Sequence, residues 1–507
     1  MSAEWNLREL LQGFDVVGAV ADRRVAGLSL DSRTLRAGGA FLACAGSAAH
    51  GLAFARDAIQ RGAAAVVYEV SPGGAEEEFL DSLPADAAAV PLVGVRDLRL
   101  RVGEIAARFH GNPTRELRVV GITGTNGKSS CCHYIAQALD SEEEPCGVVG
   151  TLGYGRLGAL RAGGHTTPDA VTLQALFAEM LASGVRRVVM EVSSHALSQG
   201  RVNGVEFDVA VFTNLTHDHL DYHGDITNYA RAKRQLFFAP RLRTAVINGD
   251  DDYGRKLLAS LPEGVAAVCF SIAGGCDKAD AQHVVKGEVL RVDRDGLAMR
   301  VDSPWGSGSL HTELLGRFNA SNLLASVASL CQLEVPFSVA VERLAQVTSV
   351  PGRMEHFGGA ARRPLVVVDY AHTPDALLQV LETLRELCAH ELWCVFGCGG
   401  DRDRQKRAKM GAIAERIADH VIVTDDNPRH EDPQAIIAQI LSGLARPEAA
   451  LVISDRALAI RTAVSRAAAD DVVVIAGKGH EDYQQIGDRR IPFSDREQVS
   501  TVLQEVA

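Results

Sequence analysis

The sequence lacks three features that would each point to a different class of protein: an excess of positive charge, a long apolar segment and closely paired cysteines. Its net charge of −12 argues against nucleic-acid binding, because phosphate contacts require a basic face, although an anionic small molecule needs only a local basic pocket. No segment approaches the roughly 18 charge-free apolar residues of a membrane span. The start, MSAEWNLRELLQGFD, lacks the basic segment and apolar core of a secretory signal. We therefore expect a cytoplasmic protein with neither membrane insertion nor a nucleic-acid partner.

The cysteines are scattered along the chain. None of the ten forms a Cys-x-x-Cys pair, so we expect buried, reduced thiols rather than disulfides or a zinc site. At 507 residues the chain is too long for one hydrophobic core. This length predicts about two to four domains.

The stretch Gly121-Ile-Thr-Gly-Thr-Asn-Gly-Lys-Ser-Ser130 looks like a phosphate-binding loop, but five residues instead of the usual four separate its outer glycines. The pattern predicts a buried strand over Arg118–Thr123 and a helix that begins at Lys128. A helix N-terminus after a glycine turn presents N–H groups to an anion. Lys128 can reach terminal phosphates, and the Ser129 hydroxyl can ligate magnesium. A purely structural turn is the alternative, and the Lys-Ser pair favours nucleotide binding.

Three regions separate along the chain, and we predict an α/β fold with three domains at residues 1–98, 99–348 and 349–507. The first is a smaller N-terminal α/β domain, and the second is a central P-loop-type ATPase domain. The third is a doubly wound, Rossmann-like domain, because its predicted strands alternate with helices. Those strands are Leu365–Val368, Leu392–Phe396, His420–Val423 and Val472–Ile475.

Polar clusters follow each of these four strands, at the edge where doubly wound sheets bind their ligands. They begin at Asp369, Gly397, Asp425 and Gly477. A dinucleotide fingerprint after Gly397 is excluded, because Arg402 stands where the third glycine belongs.

A dense His/Asp cluster at residues 214–223 follows a strand predicted over Asp208–Phe212. A hard cation that serves ATP takes oxygen ligands, so we favour magnesium over zinc, with Glu191 as its carboxylate and one histidine completing the shell. The alternative is that these polar residues only tie down a loop.

Taken together, these motifs resemble the Mur ligase family of ATP-dependent amino-acid ligases. The resemblance spans nearly the whole chain and keeps the family's order. One mild departure is Ser129, where relatives commonly have threonine. The matching stretches are 124–130, Glu191-Val-Ser-Ser-His195, Asp218-His-Leu-Asp221, 316–322, Gly352-Arg353 and 369–375.

The resemblance implies that the chain adds meso-2,6-diaminopimelate to UDP-N-acetylmuramoyl-L-alanyl-D-glutamate through an acyl phosphate, in peptidoglycan precursor synthesis. Asp426-Asn-Pro-Arg429 marks family members that select diaminopimelate over L-lysine. Charge supports this choice independently, because a guanidinium at Arg429 can grip the distal carboxylate that lysine lacks.

The resemblance also implies roles for individual residues. Catalytic residues would be Lys128, Glu191, His219 and Lys233. Two magnesium ions would be held by Ser129, Glu191, His219 and Lys233, the last as a carbamate. ATP would contact Gly124, Thr125, Asn126, Gly127, Lys128, Ser129, Ser130, Asn319, Asn322, Arg353, Asp369 and His372.

The UDP-precursor would bind to the first and second regions and diaminopimelate to the third, and the chain would act as a monomer. The UDP-precursor would contact Leu30, Ser32, Ser47, Ala48, Ala49, Thr166, Thr167, Ser194, Gln199 and Arg201. Diaminopimelate would contact Arg402, Asp426, Asn427, Pro428, Arg429, Gly477 and Glu481.

Three other functions stay open at this point. One is the lysine-adding counterpart within the family. A folylpolyglutamate synthase shares the loop and reaction type, but nothing explains why it would carry Asp-Asn-Pro-Arg. A nucleotide-dependent switch or scaffold would bind ATP without joining anything, and it would need neither Lys233 nor the polar edge of the third domain.

Overall fold

The structure is a computed structural model that describes residues 4–46, 49–71, 74, 76, 79–80, 89–277, 281–359 and 363–505. Three main β-sheets organise these residues, and each lies within one of the three predicted regions, whose boundaries stay predictions. Among the described residues, no helix is long and apolar enough to cross a membrane. The α-helices are Leu7–Leu10, Ala55–Gln60, Leu98–Phe109, Lys128–Leu139, Ala170–Ala182, Ser194–Ser198, Leu220–His223, Ile226–Arg234, Asp252–Leu258, Phe318–Gln332, Phe337–Ala345, Pro374–Leu387, Gln405–Ile417, Pro433–Leu441, Arg456–Arg466 and Asp495–Glu505.

The first sheet has five strands in the described part of the chain, and four of them run parallel. Helix Leu98–Phe109 packs against it through Leu98, Val102 and Ile105, which share a core cluster with Leu7 and Val25. In spatial order the strands are Val16–Val17, Leu92–Arg96, Ala65–Val70, Ala40–Ala43 and Leu28–Ser29.

The second sheet has ten strands among the described residues. Its parallel part buries both faces, as its almost unbroken apolar strands require. Three strands from His283 to Thr312, which were not predicted from the sequence, extend the sheet. The first pairs in parallel with Ala266–Ser271, and the other two follow through antiparallel pairs. In spatial order the strands are Gly153–Arg156, Cys146–Gly150, Arg187–Glu191, Arg118–Thr123, Val209–Phe212, Thr244–Asn248, Ala266–Ser271, His283–Asp293, Gly296–Ser303 and Gly306–Thr312.

The third sheet is doubly wound, with separate core clusters on its two faces. Its strand order crosses over in the middle, which makes a crevice beyond the carboxyl ends of the strands. A hairpin of Tyr483–Ile486 and Arg489–Pro492 follows the last long strand. The sheet strands in spatial order are Glu355–Gly358, Leu365–Asp369, Val472–Ala476, Leu392–Phe396, His420–Val423 and Leu451–Val452.

One expectation about the cysteines is wrong. Cys269 and Cys276 form a disulfide, with their Cα atoms 5.9 Å apart. The strand that carries Cys269 ends at Ser271, and the chain turns back within a few residues, so proximity comes from a local turn that a spacing rule does not detect. The other eight cysteines are free thiols.

Candidate active site

The phosphate-binding loop joins strand Arg118–Thr123 to helix Lys128–Leu139, as the sequence predicts. Gly127 adopts φ +84°, and a Cβ there would lie 2.6 Å from Asn322 Oδ1, so only glycine fits this turn. The Lys128 ammonium folds back over the loop and donates to the Gly124 carbonyl at 2.9 Å and the Thr125 carbonyl at 2.8 Å. The loop therefore presents a helix N-terminus and a cation to the space in front of it.

That space is a cavity of about 410 Å³ shared by the second and third domains. It brings together every predicted nucleotide residue except Gly124, whose carbonyl accepts from both Lys128 and Lys233. The lining members of that set are Thr125, Asn126, Gly127, Lys128, Ser129, Ser130, Asn319, Asn322, Arg353, Asp369 and His372.

The third-domain side of the cavity is held by side-chain contacts around Tyr370. The Arg353 guanidinium lies 4.5 Å from the centre of the Tyr370 ring. Asp369 accepts from the Met354 N–H at 2.7 Å, and burial raises the pKa of this carboxyl. His372 Nδ1 lies 2.8 Å from the Tyr370 carbonyl, and burial lowers the His372 pKa to about 4. The imidazole is thus neutral near pH 7.

Glu191 stands fully buried at the end of its strand, facing the phosphate loop. Its Oε2 accepts from Ser129 Oγ at 2.9 Å and from Thr151 Oγ at 3.2 Å, and its Oε1 accepts from the Thr151 N–H at 2.8 Å. Thr151 was not predicted, although it follows the strand next to that of Glu191. A carboxylate beside a hydroxyl is an oxygen donor set suited to magnesium. Within the described residues, no three His, Cys, Asp or Glu side chains converge as a metal site.

Lys233 lies buried in the lining of the same cavity, on helix Ile226–Arg234. Its ammonium donates to the Gly124 carbonyl at 2.8 Å and lies 4.3 Å from the centre of the Tyr229 ring. Burial lowers the pKa of Lys233 well below its usual value, and the charge of Lys128 lowers it further, while Asp218 opposes them. Lys233 is therefore a neutral amine more readily than an exposed lysine is.

His219 lines the cavity together with Asp218, and the two side chains lie 3.3 Å apart. Burial lowers the His219 pKa, and its ring meets that of His195 with 4.9 Å between their centres. His195 and His223 were not assigned roles from the sequence. His223 Nε2 lies 3.0 Å from Ser194 Oγ, so it supports one of the predicted precursor residues.

The predicted precursor residues of the second domain form a connected network beside Glu191. Thr167 Oγ donates to the Glu191 carbonyl at 2.8 Å, and the Arg201 guanidinium donates to the Thr167 carbonyl at 3.0 Å. Arg201 also donates to the Gln199 amide oxygen at 2.8 Å. Thr166 and Ser194 line the cavity. These five residues therefore lie together at one side of the phosphate loop.

The predicted uridine-side residues lie in the first domain, away from the lining of this cavity. Ser32 is buried at the start of a 3₁₀ turn that the Asp31 carboxylate caps. Leu30 is partly buried and Ala49 is exposed. The predicted contacts Ser47 and Ala48 lie outside the described residues.

The predicted diaminopimelate residues gather beyond the strands of the third sheet. Asn427 Nδ2 donates to Glu481 Oε2 at 2.7 Å. Lys478, fully buried, donates to Asn427 Oδ1 and Glu481 Oε2, each at 3.0 Å, and lies 3.8 Å from Asp426. At Gly477 a Cβ would lie 2.6 Å from Asp426 Oδ2, so the backbone there approaches the carboxylate closely. Lys478 directly follows Gly477 in the chain and was not among the residues predicted from the sequence.

Arg429 is half-buried. The hairpin holds its backbone at φ +51°: the Arg429 N–H donates to the Gln485 carbonyl at 3.0 Å, and the Gly487 N–H donates to the Arg429 carbonyl at 2.7 Å. Its Nη1 donates to the Gly400 carbonyl at 2.7 Å, which leaves its other N–H groups for a ligand. Pro428 precedes it in the same turn, and Arg402 is exposed at the edge.

The segment that enters the third domain packs tightly against the loop that carries Lys478. Gly352 adopts φ +65°, and a Cβ there would lie 2.1 Å from the backbone nitrogen of His480. The Gly352 N–H donates to Glu355 Oε2 at 2.7 Å, and Glu355 pairs with Arg496 at 2.7 Å. Backbone and ion pair together attach this segment to the third domain.

Three α/β domains with a phosphate loop facing the junction between the second and third define a class of ATP-using ligases, and the chain belongs to the Mur ligase family. The family description "Mur ligase middle domain" matches residues 122–330. The description "Mur ligase, glutamate ligase domain" matches residues 352–479, and "Mur ligase family, catalytic domain" matches residues 24–110.

Three similar proteins share the same curated name. The UDP-N-acetylmuramoyl-L-alanyl-D-glutamate–2,6-diaminopimelate ligase of Coxiella burnetii is 48% identical over 95% of this chain and 96% of its own length. Its namesake in Alkalilimnicola ehrlichii is 49% identical over 98% of this chain and 99% of its own. The namesake in Pseudomonas aeruginosa is 48% identical over 96% of each.

Solved structures agree on the fold. A structure of a UDP-N-acetylmuramoyl-L-alanyl-D-glutamate–2,6-diaminopimelate ligase matches with a TM-score of 0.70 and 35% identity, covering 99% of both chains. A Thermotoga maritima MurF ligase in complex with ADP has the same fold, with a TM-score of 0.62 at 18% identity, over 95% of this chain and 97% of that one.

Proposed function

We propose that this chain is an ATP-dependent ligase that joins meso-2,6-diaminopimelate to UDP-N-acetylmuramoyl-L-alanyl-D-glutamate, releasing ADP and phosphate. The observation that carries the proposal is the shared cavity, in which the phosphate loop, Glu191 and Lys233 lie beside the precursor residues Thr166 and Ser194. A terminal phosphate and an acceptor carboxylate can therefore meet in one place. The names of the relatives support the particular pair of substrates.

The first step transfers the γ-phosphoryl group of ATP to the γ-carboxylate of the D-glutamate. A carboxylate oxygen forms the new P–O bond, the bond to the bridging oxygen of ADP breaks, and an acyl phosphate results. Such transfer depends mainly on positioning and on neutralising charge. Lys128 and the loop N–H groups would hold the phosphates, and Arg201 would orient the precursor through Thr167 and Gln199.

The residues around Glu191 fit magnesium, because Ser129 Oγ and the Glu191 carboxylate offer converging oxygens in a water-poor site. His219, which lines the same cavity, would complete the set. Bound there, the cation would neutralise phosphate charge during transfer. Ser129 is already held in place for this role by its hydrogen bond to Glu191.

Lys233 would act as a carbamate. Carbon dioxide adds only to a neutral amine, and the Lys233 amine loses one proton as the N–C bond forms. The lowered pKa of Lys233 supports this proposal, as does the lack of a salt-bridged carboxylate partner among the described residues. The anion formed would suit a second magnesium ion next to the acceptor carboxylate.

The second step joins the amine of diaminopimelate to the activated carbon. The amine nitrogen forms the C–N bond, phosphate leaves with the C–O electron pair, and the amine loses a proton. Arg429 would hold the distal carboxylate through its free N–H groups, and Glu481 would accept from the distal ammonium. Asp426 and Asn427 would shape this end of the site, with Gly477 allowing the close approach and Arg402 closing the edge.

We further propose that the first domain holds the uridine nucleotide through residues around Leu30, Ser32 and Ala49, and that the enzyme acts as a monomer in the cytoplasm. Light scattering of the purified chain at micromolar concentration tests the oligomeric state. A mass of about 54.1 kDa is the expected result.

Coupled phosphate release tests the proposed reaction directly. Purified protein is given ATP and magnesium, with and without the muramoyl dipeptide, and with diaminopimelate or L-lysine. We expect phosphate release only when all three substrates are present, and faster release with diaminopimelate. Rapid ATP hydrolysis without the acceptor would refute the proposal, and equal or faster joining of lysine would assign the chain to the lysine-adding counterpart.

A further inference from the structure

Lys478 is the one fully buried lysine of the third domain, among the residues the structure describes, and it lies in the centre of the predicted diaminopimelate site. It follows strand Val472–Ala476, and its ammonium contacts Asn427, Glu481 and Asp426 at 3.0, 3.0 and 3.8 Å. Burying an ammonium is unfavourable unless it is paired, so this position has a specific use for the charge.

The first role of Lys478 is to hold the side chains of the predicted diaminopimelate site in one arrangement. Asn427 Oδ1 accepts both from Lys478 and from the Gln485 N–H at 2.9 Å, and its Nδ2 donates to Glu481. The amide is therefore nearly saturated and has one N–H left for a ligand. Glu481 uses Oε2 for Lys478 and Asn427, which orients Oε1 as the oxygen available to a ligand.

The second role of Lys478 is electrostatic. Lys478 and the half-buried Arg429 supply two cations to the site, and Asp426 and Glu481 supply two anions, so these four charges balance. The buried pair Arg456–Asp495 beside the site adds one charge of each sign and keeps this balance. The distal end of diaminopimelate also carries one ammonium and one carboxylate, whereas the distal end of L-lysine carries an ammonium alone. Arg402 is exposed at the edge, where solvent and salt screen its charge.

We infer that Lys478 is a positioning and specificity-determining residue, which keeps the site electrically balanced and thereby selects an amino acid with a zwitterionic distal end over one with a cationic end. The inference rests on the proposed function. Without Lys478 the site has an uncompensated carboxylate, which attracts a cationic end and repels the distal carboxylate of diaminopimelate.

The test compares Lys478→Met, which removes the charge, with Lys478→Arg, which keeps it. For each full-length variant, phosphate release gives kcat/KM for diaminopimelate and for L-lysine. The ratio of the two is independent of the fraction of folded protein. Lys286→Met is the matched control, because Lys286 is an exposed lysine paired with Asp277 on the second domain.

We expect Lys478→Met to lower the diaminopimelate-to-lysine ratio at least about 10-fold and to raise KM for diaminopimelate, with KM for ATP within about twofold of wild type. Lys478→Arg should retain the ratio within about threefold, and Lys286→Met should not change it. An unchanged ratio in Lys478→Met overturns the inference, and so does an equal loss in Lys478→Arg, because the charge would then not matter.

A second variant covers the case in which Lys478→Met does not fold. Asp426→Asn removes one anion from the same site, so it should shift the ratio in the opposite direction, further against lysine. A shift toward lysine overturns the inference. Wild-type protein that joins neither amino acid would refute the proposed function itself, whereas normal joining by wild type with unaltered ratios in the variants would refute only the role of Lys478.

Discussion

Among the residues that the structure describes, two lysines, Lys233 and Lys478, are fully buried, and their surroundings contrast. Lys233, in the second domain, meets a backbone carbonyl and the neighbouring cation Lys128, so its environment favours the neutral amine. Lys478, in the third domain, lies 3.8 Å from the Asp426 carboxylate and 3.0 Å from the Glu481 carboxylate. Burial alone therefore does not determine what a lysine does. The first environment suits covalent chemistry on the nitrogen, and the second suits a fixed charge.

The largest effect is expected from Lys233→Ala. We expect kcat to fall at least about 1000-fold, because the anion beside the acceptor carboxylate is lost. Short-chain carboxylates added to the buffer should restore part of the activity by occupying the space. Arg231→Ala is the control, because Arg231 is exposed on the same helix. Full activity in Lys233→Ala would mean that Lys233 takes no part in the chemistry, and the contrast drawn with Lys478 would be wrong.

The next largest effect is expected from Arg429→Ala, which leaves the distal carboxylate without its guanidinium. KM for diaminopimelate should rise about 100-fold, while KM for ATP changes little, because only the amino-acid site loses a charged hydrogen bond. Initial-rate kinetics of phosphate release measure both constants. Arg466→Ala, an exposed arginine on the far helix of the third domain, serves as control. A parallel rise in KM for ATP would show that the two sites are not separable.

A smaller change is expected in shape. ATP contacts are predicted on both the second and the third domain, so ATP plus precursor should draw these domains together and lower the radius of gyration by about 1 Å. Small-angle scattering with and without ligands measures it. The same radius of gyration with and without ligands would argue that the second and third domains, which carry Lys233 and Lys478, already lie at their working distance.

The smallest effect is expected in the pKa of His430, the residue after Arg429, and in its contribution to stability. The side-chain hydrogen bond to Asp401 and then that to Asp488 raise its pKa. The folded-state pKa of His430 therefore exceeds the ordinary value of roughly 6.5. The His430–Asp401 and His430–Asp488 pairs stabilise the folded state below that pH, and this stabilisation is lost as the pH rises through the folded-state pKa. Histidine NMR titration should show a raised pKa that falls toward the ordinary value in Asp488→Asn. An unshifted pKa of His430 would show that the hydrogen bonds from His430 to Asp401 and Asp488 do not form.

The local parts of the fold and site were predictable from sequence, and the long-range parts were not. Strand Arg118–Thr123 and helix Lys128–Leu139 have the predicted starts, because a glycine turn between an apolar run and a helical pattern is encoded within a few residues. Lys478 gave no such signal. Its partners Asp426 and Asn427 lie about fifty residues away, and only the parallel sheet brings them together. Thr151 was missed for the same reason.

The antiparallel extension from His283 to Thr312 shows a different limit. Its first and last strands, His283–Asp293 and Gly306–Thr312, are half-exposed and mix polar with apolar residues, unlike the continuous apolar runs of the parallel strands. The family resemblance supplied the residue roles, and it supplied them for residues whose local pattern is unremarkable, such as Lys233 on an otherwise polar helix.

The contact between Gly352 and the backbone of His480 has a mechanical consequence. The chain from Gly352 onward is fixed to the loop that carries Lys478, so in the domain closure predicted above both would turn as one piece, and the pivot would lie upstream of Gly352. A side chain at position 352 would push the two segments apart and so disturb the amino-acid end of the site.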